Sequence, residues 1–246
     1  MTQSIKIISN AKTHIGNKRQ TNQDAFLSQP ESGIWIVADG MGGHHNGEYA
    51  SGLLTEKIAL PLQRLNFDET IFFIKNIINK KNLELFHYAK KLGSDIKCGS
   101  TIVCLFIKGN KAAVIWVGDS RLYQYDIKEK FLKSVTRDHT VFNKMHDEGR
   151  MDHYHPMANR YKEALTRVVG GEESLEIDEK RFFLKGNERF LLCSDGIMKD
   201  LDDTEISQVM SENYSPGMTC EVLVKEALSK TGRDNITASI IDITIV

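Results

Sequence analysis

The 246-residue chain lacks the features that would mark a membrane-spanning, secreted or nucleic-acid-binding protein. No apolar run approaches the ~20 residues that a membrane-spanning helix needs. The N-terminus has no basic segment followed by an apolar one, as a signal peptide would. The formal net charge is −1, and the basic residues form no stripe of the kind that binds nucleic acid. We therefore expect a cytoplasmic protein that binds neither membrane nor nucleic acid.

Cysteine is also scarce, with four residues in the chain: Cys98, Cys104, Cys193 and Cys220. They form no Cys-x-x-Cys pair, and three of them lie in apolar runs. This pattern is typical of reduced thiols in a protein core. Because the chain also lacks a Pro- or Ser-rich linker and an internal repeat, we expect one domain over residues 1–246, long enough to bury a substantial core.

The order of the predicted elements favours an α+β fold with antiparallel sheets. Apolar residues at helical spacing predict helices over 46–65 and 68–92, with Asp68 as the N-cap and Gly93 as the stop. Two further helices are predicted over 203–212 and 216–230. The predicted strands are 3–9, 25–28, 34–38, 100–107, 112–117, 122–125, 131–135, 176–184, 189–193 and 236–246. Strands in blocks and helices in pairs favour antiparallel sheets over alternating β-α units.

Residues 138–163 depart from this regular pattern. They are polar, rich in His, Asp and Arg, and weakly periodic, with a short helix predicted over 140–148 and a loop after it. Long irregular segments inside a compact domain are often lids or binding loops. His153 and His155 form an H-x-H pair, which is more typical of a solvated loop than of a metal site.

Four aspartates stand at the ends of predicted strands, far apart in the sequence: Asp39, Asp119, Asp195 and Asp234. Each could be an ordinary turn residue, since Asp-Gly is a common turn dipeptide. One shared site is the better interpretation of four such positions. Clustered carboxylates repel one another and raise each other's pKa unless a cation neutralises them, and no Lys or Arg lies between Ile34 and Lys57.

The chemistry of these side chains predicts hard cations. Carboxylates without clustered His or Cys select Mg²⁺ or Mn²⁺ over Zn²⁺. More than three aspartates indicates two ions, and two ions about 3.5–4 Å apart can hold a bridging water and direct it at a phosphorus atom. The glycine-rich turn after Asp39 would also let main-chain carbonyls approach the site.

Eight motifs in order along the chain resemble those of one enzyme family. They are Gly16 through Arg19 to Asn22-Gln23-Asp24, Asp39-Gly40-Met41-Gly42-Gly43-His44, Cys98-Gly99-Ser100-Thr101, Gly118-Asp119-Ser120-Arg121, Asp138-His139-Thr140, Leu165 to Gly170, Ser194-Asp195-Gly196 and Asp234-Asn235-Ile236-Thr237. With them the chain resembles the metal-dependent serine/threonine protein phosphatases, the protein phosphatase 2C family, in its compact bacterial form. The resemblance implies a four-layer αββα sandwich, in which two central antiparallel sheets are flanked by pairs of antiparallel helices.

The resemblance also implies metal ligands. Asp39 would bridge two tightly bound Mn²⁺ or Mg²⁺ ions, and Asp195 and Asp234 would complete the ligands of the first ion. The main-chain carbonyl of Gly40 would help to bind the second ion, with Asp24 acting directly or through water. Asp119, together with Asp195, would hold a third and weaker ion.

The remaining assignments concern the substrate. Arg19 would hold the substrate phosphate, since its guanidinium offers a fork of donors that lysine does not reproduce. His44 would be a proton donor to the leaving oxygen, because Met41 stands where animal enzymes of the family carry histidine. Residues 138–163 fall where the family has its variable flap over the active site.

The activity that the resemblance implies is hydrolysis of phosphoserine and phosphothreonine in proteins by a water or hydroxide that bridges two metal ions. It further implies phosphoprotein substrates, a cognate serine/threonine kinase and a monomer. A cysteine-dependent phosphatase does not fit, because Cys193 and Cys98 are followed after five residues by Lys199 and Cys104, not by arginine. No P-loop motif is present. A pseudoenzyme would be expected to lose metal ligands, whereas every acidic position of the pattern is filled.

Overall fold

Two β-sheets lie face to face in the computed structural model, which describes residues 5–43, 45–58, 64–93 and 96–245. The strands are β1 (Ile5–His14), β2 (Asp24–Gln29), β3 (Ile34–Gly42), β4 (Cys98–Ser100), β5 (Ile102–Lys108), β6 (Lys111–Val117), β7 (Arg121–Asp126), β8 (Phe131–Ser134), β9 (Asp178–Phe183), β10 (Glu188–Cys193) and β11 (Ile236–Ile245). One sheet has the order β1-β11-β10-β7-β8. The other has the order β2-β3-β5-β6-β9, with β4 paired to β3. Each of these described pairings is antiparallel.

The helices in chain order are α1 (Asn46–Leu54), α2 (Phe67–Leu92), α3 (Val141–Asp147), α4 (Ala158–Lys162), α5 (Asp195–Met198), α6 (Asp203–Ser211) and α7 (Pro216–Lys230). Apolar side chains of α1 and α2 pack on the outer face of the sheet that contains β3. Those of α6 and α7 pack on the outer face of the sheet that contains β10. This arrangement confirms the predicted αββα sandwich. No helix in the described part of the chain is both long and apolar enough to cross a membrane.

The apolar run of β3 shows why the central strands read as continuous hydrophobic segments. Trp35 and Val37 face the other sheet, where they join a core with Phe190 of β10. Ile34 and Ile36 face the helices on the opposite side. Both faces of the strand are therefore covered, and successive side chains are buried although they point in opposite directions.

The predicted helix over 68–92 is confirmed, but its N-cap was wrong. Asn66, not Asp68, caps α2, because its side chain accepts a hydrogen bond of 2.9 Å from the N–H of Glu69. The Glu69 carboxylate accepts one of 2.7 Å from the N–H of Asn66, which completes a capping box. Gly93 ends the helix as predicted.

The predicted helix over 46–65 was too long, since α1 ends at Leu54. Thr55 follows it, and its hydroxyl donates to the carbonyl of Ser51 at 2.9 Å. The predicted span also contained Pro61, which cannot donate in a helix interior. Residues 59–63 of that prediction lie outside the described residues.

Three smaller predictions also differ from the structure. The strand predicted over 34–38 continues to Gly42, because Gly40 and Gly42 pair with Ser100 and Cys98 of β4. The segment 138–163 contains α4 in addition to α3, and it has a small apolar cluster of its own. The helix α5 directly after β10 was not predicted. It is a single short turn and carries too few residues to show helical periodicity.

Candidate active site

Antiparallel pairing places five aspartates at the same end of the sandwich. The C-terminal end of β10 and the N-terminal end of β11 share one edge, so Asp195 and Asp234 lie near each other. In the other sheet, Asp24 opens β2 and pairs directly with Asp39 of β3. Asp119 follows β6, which runs in the same direction as β3 because β5 lies between them.

Asp24 joins the two sheets through its carboxylate. Its Oδ2 accepts hydrogen bonds from Ser194 Oγ at 2.6 Å and from Thr237 Oγ1 at 2.7 Å. Its Oδ1 is buried and has no hydrogen-bond partner. The hydroxyls fix the orientation of the carboxylate and leave one oxygen free to take a further ligand.

The carboxylates of this end of the sandwich disfavour each other's ionisation. Burial, followed by repulsion from Asp195, raises the pKa of Asp24 to about 7 and that of Asp119 to about 8. Burial and the charges of Asp24 and Asp195 raise the pKa of Asp39 well above its usual value. Burial also raises the pKa of Asp195, although Lys199 opposes this. Full ionisation of the cluster is therefore unfavourable by itself, and a bound cation would favour the ionised form.

Asp234 is the exception, because two basic side chains contact it. Arg19 donates from Nε at 2.7 Å and from Nη2 at 3.0 Å, and Lys199 Nζ donates to Oδ2 at 2.6 Å. Burial works against ionisation of Asp234, but these hydrogen bonds outweigh it and the pKa is lowered. Lys199 Nζ also lies 2.5 Å from Asp195 Oδ2, so it joins two of the predicted metal ligands.

Arg19 lies in the loop before β2, and 54% of its side chain is exposed. The structure places it beside Asp234, at the edge of the cluster. A guanidinium in this position can reach a phosphate held over the carboxylates while one carboxylate orients it. Its role toward the phosphate stays a prediction.

At Gly40 the backbone of β3 lies close to α1. A Cβ atom at this position would lie 2.0 Å from the carbonyl oxygen of Gly47 and 2.7 Å from that of Gln23. Only glycine allows this approach. The main chain after Asp39 is thus held in place by its surroundings, as a carbonyl ligand would require.

His44, the predicted proton donor, lies outside the described residues. Met41 lines a cleft between the end of α2 and residues 165–176. All four cysteines are free and buried, as predicted. Burial raises the pKa of Cys193 to about 12, so its thiol offers no nucleophile near neutral pH.

The donor set fits a hard divalent cation. It consists of carboxylates without His or Cys, and Oδ1 of both Asp24 and Asp195 is buried without a hydrogen-bond partner. Across residues 5–43, 45–58, 64–93 and 96–245, no three Asp, Glu, His or Cys side chains already stand at separations that would ligate one ion. Instead, Lys199 contacts both Asp195 and Asp234, and Arg19 contacts Asp234. Ligation of an ion by the cluster therefore requires side-chain rotation.

Comparison with known proteins agrees with the fold. The model of the protein phosphatase 2C family matches residues 8–160. The chain belongs to the protein phosphatase 2C family. It is accordingly a protein serine/threonine phosphatase, a metal-dependent hydrolase.

Relatives match over nearly the whole chain. The serine/threonine phosphatase stp of Listeria monocytogenes is 28% identical over 238 residues, which cover 94% of each chain. A solved structure of PppA, described as a key regulatory component of T6SS in Pseudomonas aeruginosa, is 34% identical and covers 98% of both chains with a TM-score of 0.84. The catalytic domain of the phosphatase PstP, solved with two manganese ions, has the same fold at 23% identity, with a TM-score of 0.84 and coverage of 98% of this chain and all of that domain.

Three side chains of the site were not identified from the sequence. Ser194 and Thr237 belong to two of the eight motifs, but their hydrogen bonds to Asp24 depend on the packing of one sheet on the other. Lys199 was considered only as a mismatch to a cysteine phosphatase. Its spacing of four residues from Asp195 was a signal that the two could interact on one helical turn.

Proposed function

We propose that the aspartate cluster binds two Mn²⁺ or Mg²⁺ ions, and that the chain hydrolyses phosphoserine and phosphothreonine in proteins by a water or hydroxide that bridges them. In this proposal Asp39 bridges the ions, and Asp195 and Asp234 complete the first ion's protein ligands. The carbonyl of Gly40 serves the second ion, with Asp24 acting directly or through water. The observation that carries the proposal is the meeting of five buried or half-buried aspartates, four with raised pKa values, at one end of the sandwich.

The chain's own residues would orient the reactants. Ser194 and Thr237 hold Asp24 by Oδ2 and leave its buried Oδ1 available to a ligand. Arg19 binds the substrate phosphate with the Nη1 and Nη2 donors that Asp234 leaves free, while Asp234 holds the guanidinium at the edge of the site through Nε and Nη2. Because the reactants are already oriented when the substrate binds, the entropic cost of bringing the phosphorus to the attacking oxygen is met before the chemical step.

Further assignments follow the same pattern. Asp119 with Asp195 would hold a third, weaker ion, and His44 would donate a proton to the leaving oxygen. We expect the whole chain, residues 1–246, to be one catalytic domain with 138–163 as a flap over the site. We also expect phosphoprotein substrates, a cognate serine/threonine kinase and a monomer.

The test compares Asp39→Asn and Asp39→Ala with the wild-type chain by titration calorimetry with Mn²⁺ and by turnover of a small aryl phosphate. Both variants should lose the tight binding events, and turnover should fall by at least a hundredfold, roughly 3 kcal/mol. Wild-type turnover should stop with chelator, return with Mn²⁺ or Mg²⁺, and return poorly with Zn²⁺. Asp68→Asn removes an exposed carboxylate from the first turn of α2 and is the matched control. Undiminished Mn²⁺ binding in both Asp39 variants would exclude the assignment.

A further inference from the structure

Lys199 is the basic side chain that lies deepest in the aspartate cluster. Its Nζ is 2.5 Å from Asp195 Oδ2 and 2.6 Å from Asp234 Oδ2, and 20% of its side chain is exposed. These two carboxylates come from different segments, one after β10 and one before β11. One ammonium group therefore links the two residues that the proposed function assigns to the first ion.

The backbone explains why Lys199 reaches this position. Asp195 is the first residue of α5, and Lys199 directly follows the helix, with its N–H donating to the carbonyl of Asp195 at 2.8 Å. Residues four apart on one helical turn lie on the same face, and a long side chain leans back toward the N-terminus. The ammonium group is thus directed at Asp195 by local geometry, and Asp234 lies within its reach.

The ammonium group and a divalent ion would compete for the same two carboxylates. Asp234 offers Oδ2 to Lys199, while its Oδ1 and Oδ2 both accept from Arg19. Asp195 offers Oδ2 to Lys199, and its buried Oδ1 has no hydrogen-bond partner. An ion that took Oδ2 of both residues would occupy the position of Nζ between them, and an ion bound to the free Oδ1 of Asp195 would still be repelled by the nearby ammonium group.

We propose that Lys199 is an internal counter-cation that competes with the first metal ion for Asp195 and Asp234. This inference rests on the proposed function, which assigns both residues to that ion. Lys199 holds the two carboxylates together when the ion is absent, and it moves out toward solvent when the ion binds. Because this exchange breaks two ion pairs, Lys199 weakens the affinity of the site for the ion and stabilises the ion-free fold.

Lys199→Met tests the inference, since methionine keeps most of the side-chain length and removes the charge. Titration calorimetry of the full chain with Mn²⁺ should give a Kd roughly tenfold lower than that of the wild type. Thermal unfolding in chelator should give a lower Tm than the wild type, and excess Mn²⁺ should restore most of the difference. Lys199→Arg keeps a cation at this position and should stay close to the wild-type Kd.

Lys185→Met is the matched control for net charge. Lys185 precedes β10 at the opposite end of the sandwich, and 74% of its side chain is exposed. Its replacement should change neither the Mn²⁺ affinity nor the Tm in chelator. A similar gain in affinity in this variant would show that net charge alone is responsible, and it would overturn the inference.

The remaining outcomes separate the inference from the proposed function. An unchanged or weaker Mn²⁺ affinity in Lys199→Met overturns the proposed role of Lys199. If KM for an aryl phosphate also rises at saturating Mn²⁺, Lys199 binds the substrate instead. Asp234→Asn should lose tight Mn²⁺ binding. If Asp234→Asn binds Mn²⁺ as the wild type does, the metal assignment itself fails, whatever Lys199→Met does.

Discussion

Asp24 pairs directly with Asp39 across the antiparallel strands β2 and β3. Opposed residues in such a pair have Cβ atoms about 4.5–5.5 Å apart, and like charges at these positions destabilise a sheet. The hydrogen bonds from Ser194 and Thr237 to Asp24 offset part of this repulsion. The fold thus keeps a pair of carboxylates where stability alone would disfavour them, as strained functional sites often do.

The raised pKa values of these carboxyl groups, caused first by burial and then by their mutual repulsion, predict an unusual dependence of stability on pH in the presence of chelator. A carboxyl group whose pKa is raised by folding binds its proton more tightly in the folded state, so its contribution to stability is lost as the pH rises through the folded pKa. The pKa of Asp24 is raised to about 7 and that of Asp119 to about 8, and those of Asp39 and Asp195 are also raised. The Tm in chelator should therefore fall between about pH 5 and about pH 8.

Saturating Mn²⁺ is the reference condition for this measurement. His139 has the opposite sign, because burial lowers its pKa and its contribution to stability grows as the pH rises. Since His139 contributes similarly in both conditions, the difference in Tm between Mn²⁺ and chelator isolates the aspartates. That difference should widen as the pH rises, and Asp24→Asn should reduce the widening. A difference that is constant from pH 5 to 8 would contradict the raised pKa values.

A second prediction concerns Arg19. Arg19→Ala should raise KM for an aryl phosphate by roughly tenfold, with a smaller fall in kcat, because it removes binding to phosphate oxygens. Arg19→Lys should recover only part of the loss, since an ammonium group does not reproduce the fork. Steady-state kinetics at saturating Mn²⁺ measures both variants.

Because Arg19 also contacts Asp234, Mn²⁺ affinity must be measured in parallel. We expect it to be unchanged or slightly stronger in Arg19→Ala, since a competing cation is removed. A clearly weaker Mn²⁺ affinity would mean that Arg19 positions Asp234 for the ion and does not bind the substrate.

The proposed flap, residues 138–163, gives a third prediction. This segment has an apolar cluster that includes Phe142 and Met151, whereas Tyr154 is 95% exposed. Exposed aromatic side chains are frequent energetic centres of protein contacts. Tyr154→Ala should raise KM for a phosphoprotein about fivefold, roughly 1 kcal/mol, and leave KM for an aryl phosphate unchanged.

Phe131→Ala provides the control, since Phe131 is an exposed aromatic residue of β8 outside the flap. It should change neither KM. Equal losses on both substrates in Tyr154→Ala would instead indicate that the flap shapes the catalytic centre.

The sequence predicted those parts of the site that depend on single segments. Asp39, Asp119 and Asp195 each follow an apolar strand, so their place at a sheet edge could be inferred without knowledge of the sheet order. Contacts between the sheets could not be inferred in this way. The hydrogen bond from Ser194 to Asp24 joins residues far apart in the chain. It forms only because the two sheets pack so that the aspartates of both lie at the same end of the sandwich.

The helices show the same limit. The helix over 68–92 was predictable because its apolar residues keep helical spacing over many turns. The predicted helix over 46–65 was too long because apolar spacing alone does not detect the end of α1 at Thr55. The contacts of Lys199 depend both on a neighbouring residue in the sequence and on a distant strand. Its spacing from Asp195 was visible in the sequence, but its contact with Asp234 follows from the pairing of β10 with β11.

The last prediction concerns Asp119, which is only 8% exposed and lies beside Asp195 and Asp138. An ion held by one dedicated and one shared carboxylate should bind weakly, because few charges replace its hydration shell. Asp119→Asn keeps the shape of the side chain and should keep the two tight Mn²⁺ binding events. If the weak ion positions a water that protonates the leaving group, turnover of a phosphothreonine peptide should fall on the order of a hundredfold.

An aryl phosphate separates this role from the others, because its leaving group needs less protonation than a threonine alkoxide. Its turnover by Asp119→Asn should fall less than about tenfold, since only the proton-transfer contribution is removed. The measurement is the rate on both substrates over a range of Mn²⁺ concentrations. Equal losses on the two substrates would remove proton donation as the role of Asp119. Loss of the tight binding events would instead place Asp119 among the ligands of the primary pair, beside Asp39.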